Sequence, residues 1–543
     1  MFDFFYSDLY NIFKNHDSED RIKKSDLRLA FNVLDLFPSH SQIQQMVHCA
    51  VEYGSPCVAD HVTFGEFCVL VDELQCYYQP ETPSLVPKSV IHSKTSLSAA
   101  RRGRKESLAK FQVFLGGSCG DAKAPTTWRH DQAIPFLKKE NITFYNPQVN
   151  TWRPELIELE DRAKCVADLL FFVIDNRTRS VTSLCEIAYL VGCWRQIVVV
   201  FNDFLCHVEE VGCERTTLGE RDDIARARNV LIDIIERNCF PVFHDLETAL
   251  KCTAIHLKQN IKVQELTLQH GAQPVRHGHA LVGEAIIKLR ESFNSITGSE
   301  EGKMNTEDVR LGYRCYTGED LNLSWLHQQK PEQLSFSFEE FCCLVTEYKR
   351  KRPSVATQLL SKITFPISWI VGKLTRSKSS DIAEDIYDIY LGGSCGEANW
   401  REDLAIPLFK REGISFLNPL VTKWSEHLIP MQAAEREKCK ILLYVIADST
   451  RALGAMVEAA YYIGRGCRVT LCLEKLSPDR TVSGEAMTES AFKDYSRGRV
   501  YLSDMASRAG VPVFENVTES LEAIVKSVRK LKNNSDSKWL CRP

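Results

Sequence analysis

The chain has 543 residues and sets 67 Lys and Arg against 71 Asp and Glu, a net charge of −4 that excludes recruitment to nucleic acid by bulk charge. Its opening, Met1-Phe2-Asp3-Phe4-Phe5-Tyr6, lacks a basic segment ahead of an apolar core, so no secretory signal is expected; no run approaches the roughly 20 apolar residues of a membrane-spanning helix. The 20 cysteines are scattered without Cys-x-x-Cys spacing and read as reduced, mostly buried thiols, which points to a cytoplasmic protein.

In chain order, residues 1–78 read as paired helix–loop–helix segments that close on His61–Leu74, HVTFGEFCVLVDEL. Residues 79–108 form a Ser- and Pro-rich linker containing Arg101-Arg102-Gly103-Arg104-Lys105. Such a basic run suits nuclear import or a phosphate, with plain solvation as the default. Residues 109–260 alternate short apolar runs with helical spacing. The strands are placed at Val113–Leu115, Ile142–Tyr145, Leu169–Ile174, Ile197–Phe201 and Pro241–Phe243, with helices over 129–139, 155–167 and 182–192. Residues 261–350 bring a second helical pair, closing on Ser335–Tyr348, SFSFEEFCCLVTEY. Residues 351–383 form a second linker, whose apolar stretch 359–374 has basic flanks. It suits weak contact with an anionic membrane surface, or packing against its own domain because Pro366 interrupts any helical face. Residues 384–533 repeat the strand–helix alternation, and 534–543 are a tail.

The two halves are copies of one another. Phe114-Leu115-Gly116-Gly117-Ser118-Cys119-Gly120 returns as Tyr390-Leu391-Gly392-Gly393-Ser394-Cys395-Gly396. Trp128-Arg129-His130-Asp131 returns as Trp400-Arg401-Glu402-Asp403, and Trp152, expected in the core, as Trp424. Thr178-Arg179 with Glu186 returns as Thr450-Arg451 with Glu458, an offset of 272 residues. The fold class is therefore α/β plus α: two doubly wound, flavodoxin-like, parallel five-stranded sheets, each preceded by an all-α helical domain. With strand order 2-1-3-4-5, a ligand crevice lies beyond the carboxyl ends of strands one and three. The shared residues fall there. Gly116, Gly117, Ser118, Arg129, Asp131, Thr178, Arg179 and Tyr189, with Gly392, Gly393, Ser394, Arg401, Asp403, Thr450, Arg451 and Tyr461, are the candidate ligand contacts. Backbone N–H groups of the glycine turns, together with Arg179 or Arg451, suit a phosphate, while Arg129 and Arg401, with Asp131 and Asp403, are placed to line the crevice. Cys119 and Cys395 sit in the same turns, but no histidine is shared between copies to activate them.

These residues resemble the nucleoside 2-deoxyribosyltransferases and their nucleotide N-hydrolase relatives, over residues 111–255 and 386–530. The resemblance implies that Glu186 and Glu458 take the nucleophile position and that Asp168 is an acid near the base. Its ligand would be a nucleoside, a nucleotide or a dinucleotide. The sequence departs from the family signature where its Asp, six residues before the Glu, is Ser180 in one copy and Ala452 in the other. The helical pairs resemble EF-hands. With Ile22 at loop position eight, Asn15, Asp17, Glu19 and Asp26 take metal-ligand positions, a weak calcium site at most, since the bidentate Glu at position twelve is replaced. With Met304 at that position, the corresponding set is Thr297, Ser299, Glu301, Gly302 and Asp308. No other cofactor is implied, and a protein partner is expected through the helical domains. Two readings stand open: a nucleotide-binding or interaction scaffold that responds to calcium, and an N-glycosidic hydrolase or transferase with a glutamate nucleophile.

Overall fold

The computed structural model describes residues 4–16, 21–54, 60–78, 111–121, 124–149, 156–202, 210–211, 214–276, 278, 280–299, 302–329, 335–351, 386–395, 399–420, 424–476, 481–482 and 484–533. The basic run 101–105, the apolar stretch 359–374, Asp17, Glu19, Trp152 and Glu301 lie outside the described residues.

The first helical pair consists of α1 (Phe4–Asn15), β1 (Arg21–Lys23), α2 (Lys24–Val33), α3 (His40–Tyr53), β2 (His61–Thr63) and α4 (Phe64–Tyr78). Strands β1 and β2 pair antiparallel with Ile22 opposite Val62, and both side chains are fully buried. Helix α3 is started by Ser39, whose hydroxyl accepts from the Gln42 N–H while the Gln42 side chain accepts from the Ser39 N–H. The first α/β lobe follows. Strand β3 (Val113–Gly117) leads through a π-helical turn (Arg129–Ala133) into α5 (Ile134–Lys139). Then come β4 (Phe144–Tyr145), α6 (Leu156–Val166), β5 (Leu169–Ile174), α7 (Val181–Gly192), β6 (Ile197–Phe201), α8 (Leu218–Arg237), β7 (Val242–Phe243) and α9 (Leu246–Gln259).

The lobe's five strands are all parallel, in the order β4-β3-β5-β6-β7, which is 2-1-3-4-5 within the lobe. Every residue of β5 and β6 is buried, as continuous apolar runs require when helices cover both sheet faces. The core runs past the expected boundary at residue 260: Val263, Leu266 and Ala272 are buried in the same cluster.

The second helical pair has α10 (Glu284–Thr297), α11 (Thr306–Thr317), α12 (Leu323–Gln329) and α13 (Phe338–Lys351), with a single antiparallel bridge from Met304 to Phe336. It shares one hydrophobic core with the first pair. Arg290 crosses between them, donating to the Tyr53 carbonyl at 2.7 Å and lying 3.5 Å from the Phe338 ring centre. The second lobe runs through β8 (Tyr387–Gly393), a π-helical turn (Arg401–Ala405), α14 (Ile406–Arg411), β9 (Phe416–Leu417), α15 (Leu428–Glu437) and β10 (Cys439–Ile446). It continues with α16 (Leu453–Gly464), β11 (Val469–Leu473), α17 (Glu489–Arg508), β12 (Val513–Phe514) and α18 (Val517–Asn533), with the parallel order β9-β8-β10-β11-β12. The two helical pairs make one compact unit and the two lobes another. Among the described residues no helix is long and apolar enough to cross a membrane.

Three acids at helix starts, Glu66, Glu340 and Asp308 of the second candidate loop, are bonded to backbone. Glu66 Oε2 accepts from the Thr63 N–H at 2.9 Å, Glu340 Oε2 from Ser337 at 2.9 Å, and Asp308 Oδ2 from Asn305 at 3.0 Å. Each therefore caps the start of a helix. Asn15 is exposed at the end of α1, and Asp26 accepts from the Ser25 hydroxyl at 3.2 Å. Among the described residues no group of three or more His, Cys, Asp or Glu is placed to hold a metal. Glu66→Ala should cost about 1 kcal/mol of stability by loss of the cap. A helix-capping role predicts the same loss in urea unfolding with calcium or with chelator; a loss confined to the calcium-loaded chain would assign Glu66 to a metal.

Candidate functional site

The glycine turns come first, because they bring strands one and three together. Gly117 has φ +100°, and a Cβ there would sit 2.1 Å from the Val173 carbonyl oxygen of β5. Gly393 has the same φ, with the Val445 oxygen 2.0 Å away. Only glycine tolerates both the backbone region and the approach. Gly117→Ala should therefore destabilise the lobe by about 2 kcal/mol or more, with a lowered unfolding midpoint as the readout. A midpoint within error of wild type would contradict this geometry.

The next residue fastens the two loops. The Ser118 N–H donates to the Val173 carbonyl at 2.8 Å, and its hydroxyl oxygen accepts from the Asp175 N–H at 2.9 Å and from the Thr178 hydroxyl at 2.8 Å. In the second lobe Ser394 accepts from the Ala447 N–H at 3.1 Å and the Thr450 hydroxyl at 2.6 Å. Ser118 meets Thr178, and Ser394 meets Thr450, but they spend these hydrogen bonds on each other.

Arg129 and Arg401 do not reach out for a phosphate. Arg129 is fully buried and donates to the carbonyls of Leu115, Gly117 and Ser118 at 3.2, 3.2 and 2.8 Å, with its guanidinium 4.2 Å from the Trp128 ring centre. Arg401 donates to Leu391 and Gly393 at 3.0 and 2.8 Å and to Cys395 Sγ at 2.6 Å. Both guanidiniums satisfy carbonyls that the turn would otherwise leave buried and unpaired. Asp131 and Asp403 are exposed on the π-helical turns, where negative charge suits a helix start.

Arg179 and Arg451 are corrected more sharply, because they join the two lobes. Arg179, 1 % exposed, donates to Glu220 at 2.6 Å and Glu214 at 3.3 Å in its own lobe, and to Ser490 at 3.1 Å and Asp494 at 3.3 Å in the other. Arg451 bonds Glu485 at 2.6 Å in its lobe and Asp223 of the first lobe at 3.4 Å. The hydroxyls complete the exchange: Thr217 donates to Glu485 at 2.5 Å and Thr488 to Glu214 at 2.7 Å. The contact is thus nearly two-fold, as if two subunits of a symmetric dimer had been fused. Helices α7 and α16 meet at its centre, where a Cβ on Gly192 would lie 2.4 Å from the Tyr461 carbonyl and one on Gly464 2.1 Å from that of Tyr189. Tyr461 is buried there, its hydroxyl near Asn238, so it does not line a crevice. Tyr189, half-buried, is likewise held by its backbone against Gly464.

The two glutamates sit on helices α7 and α16, each ion-paired with a base from the preceding helix. Glu186 pairs with Lys164 of α6, and Glu458 with Arg436 of α15. Lys164 lies 5.3 Å from the Phe114 ring centre, and Arg436 lies 5.2 Å from that of Tyr390, so the pairs stack on the first strand in the same way. In the first lobe the ammonium also faces Glu160 at 3.8 Å. Burial pushes the Glu160 carboxyl up to about 7, Glu186 adding to the shift and Lys164 opposing it. Burial works to lower Lys164, but Glu186 and Glu160 outweigh it and hold the ammonium above its ordinary range. In the second lobe Gln432 stands at the Glu160 position, and burial raises Glu458 despite Arg436.

The turn, the Thr-Arg loop and the glutamate helix therefore gather at the carboxyl edge of each sheet, and the family comparison falls on this part of the fold. Residues 110–204 and 386–476 match the family described as nucleoside 2-deoxyribosyltransferase like. Both lobes are nucleoside 2-deoxyribosyltransferase-like domains. The match spans the first four strands of each domain and none of the helical pairs. Neither a curated protein nor a solved structure matches the chain.

Within the first deoxyribosyltransferase-like domain, Asp168, the acid that the resemblance implies, directly precedes β5 at the strand's amino end. It is exposed, whereas Glu186 lies mid-way along α7 and is paired with Lys164. The carboxyl that does stand beside Glu186 is Glu160. Its signal in the sequence is its four-residue spacing from Lys164, which places both on one face of α6.

Proposed function

We propose that the chain binds a nucleoside or nucleotide at the carboxyl edge of its first lobe, with the second lobe acting as a fused structural partner. The family description supports a nucleoside-related function in general. One observation carries the choice of lobe: the first keeps a second carboxyl, Glu160, beside its glutamate–base pair, where the second lobe has Gln432. The second lobe also has Tyr390 and Tyr444 in place of Phe114 and Phe172, and all four rings are buried. The reading is tested by calorimetric titration of the full chain with nucleosides, nucleoside monophosphates and a dinucleotide. One site per chain is expected, weakened at least tenfold in Glu186→Gln and unchanged in Glu458→Gln. Equal weakening in both variants, or no binding by wild type, overturns it.

Glu160 also favours a second reading, cleavage of the base–sugar bond. A carboxyl that titrates near neutrality can deliver its proton to the departing base as the C–N bond breaks and its electron pair moves to nitrogen. Glu186 would form the bond to the anomeric carbon, and water would later cleave that ester. Lys164 is the ion-pair partner that holds the Glu186 carboxylate in place. Base release that is lost in both Glu160→Gln and Glu186→Gln supports this reading; binding without release supports the scaffold.

The helical pairs are proposed as an EF-hand-like scaffold offering a protein-docking surface. The Ile22–Val62 and Met304–Phe336 bridges support the likeness, and the capping roles of Glu66, Glu340 and Asp308 favour a scaffold that needs no calcium.

A further inference from the structure

In the first helical pair, the start of α2, the start of α3 and the first residue of β2 surround an open cavity of about 520 Å³. Lys23, Lys24, Arg28, His40 and His61 line it, and Asp60 is the one carboxylate in the lining. Lys24, Arg28, His40 and His61 are partly buried, so they are recessed into the wall rather than spread over an outer surface. Asp60, by contrast, is 70 % exposed and 3.9 Å from the Lys24 ammonium, a separation and exposure at which it offsets little of the positive charge. Ser25 and Gln44 add neutral polar groups, and Ile43 is the one aliphatic side chain in the wall. Helix α2 begins at Lys24 and α3 at His40, so the positive ends of two helix dipoles add to the same potential.

We infer that this cavity is a binding site for a compact, multiply phosphorylated small molecule, separate from the nucleoside site of the first lobe. Three permanent cations and two imidazoles match the charge of several phosphate groups, which lysine and arginine bind through charge-assisted hydrogen bonds. The volume falls in the range of roughly 300–1,000 Å³ typical of small-molecule sites, well above the space one phosphate needs. With three cations and two imidazoles in the lining, the phosphates themselves would carry recognition. This chemistry is shared by soluble polyphosphates, by phosphorylated polyols and by phosphorylated lipid headgroups.

The test titrates the full chain with sodium tripolyphosphate and with inositol hexakisphosphate, and in parallel sediments it with vesicles of phosphatidylcholine with and without phosphatidylinositol bisphosphate. One site per chain is expected for the soluble probes, weakening at least tenfold between 50 and 200 mM salt as screening grows. Lys23→Glu combined with Lys24→Glu should weaken it at least tenfold, with an unchanged circular dichroism spectrum. Lys23→Glu alone, at an exposed position that leaves the core untouched, should weaken it several-fold and guards against misfolding of the double variant. Lys526→Glu, an exposed charge on α18, should leave binding as it is. Co-sedimentation that needs the phosphorylated lipid and is lost in the double variant assigns the site to a headgroup; soluble binding without it assigns a free phosphorylated ligand. No heat with either soluble probe, or equal weakening by Lys526→Glu and the double variant, overturns the inference.

Discussion

Replacing Arg179 by alanine is expected to destabilise the paired lobes by about 3–5 kcal/mol, the loss that follows when one partner of a buried charge network is removed. The guanidinium is almost wholly enclosed and is the common partner of Glu214, Glu220 and Asp494. Removing it leaves Glu220, itself buried, without its 2.6 Å partner, and takes from Asp494 of the other lobe its contact across the lobes, with Arg497 of its own helix still paired to it. Urea unfolding of the full chain, followed by circular dichroism, reads the loss as a lowered midpoint. Arg179→Lys should recover part of it, since an ammonium keeps the charge but cannot fork to several acceptors. A loss below about 1 kcal/mol, as for a surface pair, would show that Arg179 does not hold the lobes together.

The second large effect is a pH dependence. Glu160 titrates near 7 in the folded chain and at about 4.5 when unfolded. Between those values the folded state binds the additional proton, so the contribution to stability is complete below about 4.5 and is lost as pH rises through 7. The interval corresponds to about 3 kcal/mol at 1.36 kcal/mol per pH unit. Glu160→Gln abolishes this loss. The stability of the variant relative to wild type should therefore climb by about 3 kcal/mol from pH 4.5 to pH 8, read from urea midpoints across that range. A difference that stays constant with pH would show that Glu160 is an ordinary solvated acid.

The sheets were readable from sequence because their central strands carry unbroken apolar runs. Leu169–Ile174 and Ile197–Phe201 are buried along their whole length, and the second copy repeats the pattern at the same offset. The position of the glycine turns followed from the same spacing. The destinations of the arginines did not, because a guanidinium reads the same in sequence whether it meets a phosphate, a carbonyl or a carboxylate. Arg179 meets Asp494, 315 residues away and in the other lobe, and no local pattern encodes that pairing. Asp168 was implied by the family resemblance alone; it directly precedes strand three, at the amino end, while ligands in this fold bind beyond the carboxyl ends. Glu160 was legible in principle, since its four-residue spacing from Lys164 shows on any helical reading of 155–167. The calcium candidates turned on a similar point: an acid at the start of a helix serves as a metal ligand or as a cap, and Asp308 serves as a cap.

The decisive measurement is a crystal structure of the full chain soaked with a nucleoside monophosphate. The account predicts ligand density in the first lobe, with the sugar beside Glu186 and Glu160, and an unchanged Arg436–Glu458 pair in the second. Density against Glu458 instead, or a ligand lodged away from both glutamates, would contradict it.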